Sequence, residues 1–342
     1  MKKRTALLLA ITVMTAFLVL PAASGAADRV YTFNMGSIFA EPANVSVFNS
    51  FGVAKAKFAE LVQEKSGGRI VIRTFYNSVL GSEVDMLDQI QKGDLDIFLG
   101  QAFATANPKF GATSIPYLFR DFDHIVRATY GADAPVYKLM SSWYDEIDVK
   151  LLALSGGNLR GFISSRPVVL PTDLRGMTVR TVEDFVTHIF WSGLTIATPM
   201  PIGEVYTALQ TGVVDGLEFS AASSVGRRYY EVSGYFVDID WRWAATGSFS
   251  MNPDAFDSLP SDLREILIEC AWEAAAWQTQ TEINDVRNAY AELESRGVTV
   301  HRLSDSERQA WIDYARSLDD RFRAEMGADA VDAMLEAVRQ AE

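Results

Sequence analysis

The sequence predicts an α/β protein built as two similar lobes that face each other across a cleft. Three observations carry this reading. The phrase Ile90-Gln91-Lys92-Gly93-Asp94-Leu95-Asp96 recurs as Leu209-Gln210-Thr211-Gly212-Val213-Val214-Asp215. Each copy reads as the end of an amphipathic helix, a Gly that stops it by taking positive φ cheaply, and an Asp at the mouth of a short apolar strand. In both halves the pattern alternates strand, helix, strand, helix, strand, which implies a parallel sheet covered by helices. Beyond residue 240 a long apolar stripe follows that exceeds the width of one lobe.

The elements follow in order. Val30–Met35 is rich in β-formers. Phe51, Ala54, Phe58, Leu61 and Val62 keep helical spacing until Ser66-Gly67-Gly68, and Ile70–Phe75 is strand-like. Val84, Leu87 and Gln91 share a helical face that Gly93 ends, and Leu95–Leu99 is a strand. In the second half Met177–Thr181, Thr195–Thr198 and Val214–Phe219 read as strands, with helices over Asp184–Trp191 and Glu204–Gln210 between them. Leu263, Leu267, Cys270, Ala274, Trp277, Thr281, Tyr290 and Leu293 draw one stripe on a helix from about Ser261 to Arg296. At 1.5 Å per residue it is roughly 50 Å long, enough to span both lobes. Ser304 to Ala341 reads as two further amphipathic helices with a break at Gly327, and the lobes are expected to be joined by crossing strands.

The chain of 342 residues is long enough for two domains with proper cores. Its start, Lys2-Lys3-Arg4, an apolar run from Ala6 to Leu20, then Pro21 and small residues to Ala27, predicts a secretory signal cleaved after Ala26 or Ala27. The predicted organisation is a signal peptide over 1–27, a first lobe over 28–153 plus about 245–280, and a second lobe over 154–244 plus about 281–342 that includes the C-terminal helices. Cleavage removes three cations and no acid, so the net charge moves from −13 to −16. So acidic a surface argues against nucleic acid, and an anionic ligand then requires local cations. The single cysteine, Cys270, excludes an intramolecular disulfide and a thiolate cluster, and its apolar neighbours make it a core thiol.

Ligands of open parallel sheets bind beyond the carboxyl ends of the strands. That rule selects Gly36–Phe39, with Phe39 at its end, and Gly100–Phe103, with Gln101, in the first lobe; in the second it selects Arg180–Glu183, Met200–Ile202 and Glu218–Ser220. Arg180 ends a strand expected to be buried on both faces, so its guanidinium must meet something negative. That partner is either a ligand carboxylate or a protein acid such as Glu183 or Asp184. Arg160 lies in Gly156-Gly157-Asn158-Leu159-Arg160-Gly161, where the glycines let backbone approach a ligand or the other lobe; the alternative is a turn with a solvated Arg. Phe219 either stacks on a ligand or fills core, Trp241 and Trp243 either wall a pocket or pack inside, and Glu218 either accepts from a ligand or pairs with an Arg. No His has a partner at metal-ligand spacing, and no nucleophile elbow, phosphate loop or dinucleotide fingerprint is present, so neither metal, cofactor nor catalysis is expected.

The stretch Arg160-Gly161-Phe162, Arg166-Pro167-Val168 and Pro171-Thr172-Asp173-Leu174-Arg175-Gly176-Met177-Thr178-Val179-Arg180 resembles the signature of the DctP-type extracytoplasmic binding proteins of TRAP transporters. So does Pro199-Met200-Pro201 with Glu204 to Gly216, while Leu80-Gly81-Ser82-Glu83 and Pro116-Tyr117-Leu118-Phe119 resemble its first lobe. The resemblance implies a type II-like periplasmic binding protein that closes on a small organic acid and delivers it to a TRAP membrane permease. It implies Arg180 as the carboxylate ligand, Arg160 as its assistant, and a first-lobe polar residue at or near Gln101. The departures suggest which acid. Phe219 stands where sialic-acid and C4-dicarboxylate members often carry Asn, and Arg242 brings a cation where a metal-holding member needs acids. With Glu183, Trp241 and Trp243 this suggests a monoacid with an apolar, aromatic or cyclic body. A periplasmic sensor on the same fold, or an exported enzyme acting on a small acid, are the alternatives.

Overall fold

The computed structural model describes residues 29–42, 48–182 and 184–342. The expected signal peptide, and Glu183, lie outside the described residues. The strands are β1 (Tyr31–Gly36), β2 (Ile70–Phe75), β3 (Ile97–Gly100), β4 (Lys150–Leu154), β5 (Asn158–Leu159), β6 (Gly161–Ser164), β7 (Thr178–Thr181), β8 (Ile196–Pro199), β9 (Gly216–Phe219), β10 (Tyr235–Val237), β11 (Trp243–Ala244), β12 (Ser248–Met251) and β13 (Thr299–His301). The first lobe holds a sheet in the order β2-β1-β3-β12-β4 and the second a sheet in the order β13-β10-β6-β9-β7-β8. Each sheet is parallel apart from one reversed strand, β12 in the first and β6 in the second.

The sequence repeat is a structural repeat. Gly93 and Gly212 both take left-handed φ, +78° and +73°, a conformation a side chain resists. The carboxylate of Asp96 accepts the Asn34 N–H of β1 at 2.8 Å, and that of Asp215 accepts the Thr178 N–H of β7 at 2.8 Å. Each Asp carbonyl then accepts from the reversed neighbour, from Asn252 N–H at 2.9 Å and from Ser165 N–H at 2.8 Å. Two short sequence copies therefore build the same junction: a helix stop, a strand start, and a carboxylate that ties the strand start to its neighbour.

Two crossing segments join the lobes, and they pair with each other. β5 and β11 run antiparallel, with Leu159 opposite Trp243. The ribbon continues as Arg160 N–H bonds Arg242 O and Trp241 N–H bonds Arg160 O, both at 3.1 Å. Gly157, at φ +58°, lies so close to this partner that a Cβ would meet Ala244 O at 2.1 Å. The glycine-rich stretch before Arg160 therefore serves the approach of the two connectors.

One helix, Ser261–Ser295, runs along both lobes. Its first half buries Leu263, Leu267, Cys270 and Ala274 in the first-lobe core, and its end buries Ala289 and Leu293 in the second. Between Ala275 and Ala289 the buried residues are polar: Gln278, Thr279, Glu282 and Asp285. The expected uninterrupted apolar stripe through Trp277 and Thr281 is corrected here, because at mid-helix the inward face meets the connectors and the cleft rather than a core. The tail forms three helices, Asp305–Arg316, Asp319–Met326 and Ala328–Arg339, instead of two. The extra break at Ser317-Leu318 re-aims the apolar face. Trp311 bonds Val169 O of the second lobe at 2.8 Å, whereas Met326 packs at Gly111 of the first.

Candidate ligand-binding site

The carboxyl ends of β1, β3, β7 and β9 converge between the lobes, where two hollows share Ile38 as a wall. The outer one is lined by Arg180, Glu83, Ser82, Phe103 and Ile202. The inner one, about 610 Å³ with its open part, reaches the connectors and is lined by Arg160, Arg227, Phe39, Phe219, Asn158 and Glu282.

Arg180 projects from β7, is 3% exposed, and donates through Nε to Met200 O at 2.8 Å. Among the described residues no carboxylate forms an ion pair with it. Asp184, one of its two possible protein partners, is engaged elsewhere. Its Oδ1 accepts the Ala104 N–H across the cleft and its Oδ2 the Thr187 N–H, both at 3.3 Å. Arg160 is 6% exposed; its Nε has no partner among the described residues, and its guanidinium lies 5.0 Å above the Phe219 ring. Burial pulls the pKa of both arginines down, that of Arg160 to about 10. Loss of water leads that fall, and the nearby charges of Glu218 and Glu83 oppose it.

The first lobe contributes Glu83 and Gln101. Loss of water pushes the Glu83 pKa up; its bond from the Gln101 N–H, at 3.0 Å, and the charges of Arg160, Arg180 and Arg227 oppose that rise. Arg227 reaches across the cleft and donates to Ile38 O at 3.1 Å, so the lobes touch there. Arg227, Asn158 and Glu282 escaped the sequence reading. Arg227 lies one short helix past the end of β9, a place the strand-end rule does not reach, and Glu282 sits inside what reads as a packing helix.

Of the residues singled out in the sequence, Arg180, Arg160, Phe219 and Phe39 meet in the cleft, with Phe39 stacked on Phe51 at 4.6 Å. Gln101 is buried beside Glu83. Three others are corrected. Glu218 neighbours Phe219 on β9, and alternation sends it to the opposite face. There it forms a fully buried ion pair with Arg242 at 2.6 Å and accepts the Trp241 indole N–H at 2.9 Å. Trp241 stacks on Phe190 at 4.0 Å. Trp243 donates to Gly156 O at 2.9 Å and packs edge-on against Phe119. These indoles are core, and Glu218 is neutralised by protein, so none of the three lines the cleft. Among the described residues no His, Cys, Asp and Glu group gathers as a metal site.

The model of the DctP family, described as bacterial extracellular solute-binding protein, family 7, matches residues 46–325. The chain belongs to this family. A solute-binding protein of Sulfitobacter sp. (strain NAS-14.1) is 30% identical over 296 residues, covering 85% of this chain and 87% of the relative. A sugar acid binding protein of Advenella mimigardefordensis, solved with galactonate, superposes with a TM-score of 0.83 at 24% identity over 92% of this chain and 99% of that one. A TRAP periplasmic solute-binding protein of Roseobacter denitrificans, solved with β-D-glucuronate, gives 0.82 at 25% identity over 91% of this chain and 100% of that one. The two-lobed DctP fold expected from the sequence is thus the fold of this chain.

Proposed function

We propose that this DctP-family chain is the solute receptor of a TRAP transporter: exported to the periplasm by its N-terminal signal, it captures a small organic acid between its lobes and delivers it, unchanged, to a membrane permease. Arg180 and Arg160 hold the carboxylate, Phe219 and Phe39 pack on the body of the acid, and Gln101 with Glu83 closes over it from the first lobe. The observation that carries this is a pair of buried guanidinium groups with no ion-pair partner among the described residues, beside a third arginine, Arg242, that is fully paired. A buried cation without an anion is costly, and a ligand carboxylate supplies the missing charge through two parallel hydrogen bonds. Binding then favours the closed arrangement, because only there do both lobes touch the acid. The acids held by the galactonate and glucuronate relatives support the same ligand class. With Trp241 and Trp243 removed from the cleft, an aromatic body is no longer favoured. Calorimetric titration with carboxylic acids and their uncharged amides tests the reading. Acids are expected to bind and amides not; equal affinity for both would remove the carboxylate role.

A further inference from the structure

We infer that Lys55, buried behind the first-lobe wall of the cleft, is a positioning residue for ligand capture: its Nζ holds the Ser37–Phe39 segment where that segment meets the ligand and the second lobe. This rests on the reading of the cleft as the capture site, and it adds a residue that does not itself line either hollow.

The wall is one short segment past the end of β1. Ile38 borders both hollows, Phe39 lines the inner one, and Ile38 O accepts the cross-cleft bond of Arg227. The segment hangs on the residues at and past the end of β2. Ser37 N–H bonds Phe75 O and Ser78 N–H bonds Ser37 O, both at 3.2 Å, and Asn77 N–H bonds Phe39 O at 2.8 Å. Asn77 and Ser78 sit at φ +55° and +58°, a region that side chains resist. The wall therefore leans on a support that relaxes once it is released.

Lys55 grips both parts. It projects from the helix Ser50–Lys65, one turn beyond the Phe51 on which Phe39 stacks, and is 0% exposed. Its Nζ donates to Ser37 Oγ at 3.1 Å and to Phe75 O, and lies 4.3 Å from the centre of the Tyr76 ring. An ammonium has three donors and no acceptor. These three partners, one on the wall and two on its support, answer all of them. Among the described residues no carboxylate pairs with it; the lysine ion pairs involve other lysines. The spanning helix, packed on the same helix, commits Glu269 and Glu273 to Lys65 and Glu282 to Ser50. Tyr76 is the titratable group against Nζ, with Glu41 beyond it, and Arg73 of β2 is exposed. Burying a cation without an anion is costly, and a hydrocarbon side chain would pack there without that cost, so the cross-link is what the ammonium adds. Unlike a guanidinium, an amine has a way out: burial pulls Lys55 down to about 7. The neutral amine keeps two N–H groups for three partners, so the grip loosens as pH rises through that value.

The test compares the parent with Lys55→Met in two ways. Amide hydrogen exchange of the ligand-free proteins at about pH 6 reads the wall directly. The Ser37, Asn77 and Ser78 amides are expected to exchange about tenfold faster in the variant, while the Met200 amide, which bonds Thr181 O at 3.2 Å in the second lobe, is unchanged. Calorimetry with β-D-glucuronate reads capture. The variant is expected to bind about tenfold more weakly than the parent at about pH 6, and less than about threefold more weakly at about pH 8.5. Ser37→Ala, which removes one partner of Nζ and little volume, carries the same comparisons should the Lys55 variant fold poorly. Unchanged wall amides, faster exchange spread over both lobes, or an affinity ratio equal at the two pH values would each reduce Lys55 to core packing and overturn the positioning role. Equal binding of glucuronate and its amide by the parent would instead remove the carboxylate reading. The exchange comparison needs no ligand, so it decides the role of Lys55 even then.

Discussion

Gly36 in β1 and Arg180 in β7 occupy the same position of the two halves. Met35 and Gly36 pair with Ile97 and Phe98, just past Asp96; Val179 and Arg180 pair with Gly216 and Leu217, just past Asp215. The backbones match, but the side chains do not. A Cβ at Gly36 would lie 2.7 Å from Met86 Sδ, so the first lobe fills with core the spot where the second lobe presents a guanidinium. The backbones are matched and the charge is not: at one equivalent position the second lobe carries a guanidinium and the first carries core.

Arg180→Ala is therefore expected to cost binding without costing the fold. Truncating one partner of a buried charge pair typically loses about 2–5 kcal/mol, so affinity for the preferred acid should fall at least tenfold by calorimetry. The melting temperature of the ligand-free protein should stay level or rise, since a buried cation is removed. Arg180→Lys keeps the charge but loses the planar fork, and should fall between the two.

The paired junctions make a second prediction. Asp96→Ala and Asp215→Ala each leave a strand N–H without its acceptor, at Asn34 and Thr178. Losing such a bond costs about 1–3 kcal/mol. Urea melts should show comparable losses for the two variants, because the geometry is the same in both lobes. A loss confined to one of them would mean that the repeat is one of sequence more than of structure.

Much of this architecture was legible in the sequence because it rests on local rules. Gly93 and Gly212 stop helices, Asp96 and Asp215 follow at fixed spacing, and strand ends point to Arg180, Phe39 and Phe219. What was illegible depends on which face of an element meets which neighbour. Glu218 and Phe219 are adjacent in sequence, and a register of one residue decides which enters the cleft. Trp241 and Trp243 read as rim aromatics until their partners Phe190 and Phe119 are known. Glu282 looked like part of a packing helix, since only the crossing of the connectors shows that the middle of that helix borders a hollow.

The reassignment of Glu218 is itself testable. Its ion pair with Arg242 has both side chains at 0% exposure. Removing one member of such a pair strands the other, at about 3–5 kcal/mol. Glu218→Ala should therefore lower the melting point sharply, and the double variant Glu218→Leu with Arg242→Met should recover much of the loss. A ligand-contact role would instead give a stable Glu218→Ala protein with weakened binding. Thermal unfolding and calorimetry on the same samples separate the two.

Glu282 gives stability a pH dependence whose sign is fixed. Burial raises its pKa from 4.5 to about 7, with Asp285 adding to the rise and Ser50, Arg160 and Asn158 opposing it. Between those two values the folded chain holds a proton that the unfolded chain has released. Stability contributed by this group is thus greatest at low pH and declines as pH rises through that window. Glu282→Gln cannot titrate, so its stability should decline less over the same range. Relative to the parent, the variant should gain on the order of 2–3 kcal/mol between about pH 4 and about pH 8. Urea melts of the ligand-free proteins across that range check this. Parallel stability curves for the two proteins would show that the Glu282 carboxyl titrates in the folded chain as it does in the unfolded one, near 4.5, and that burial does not shift it.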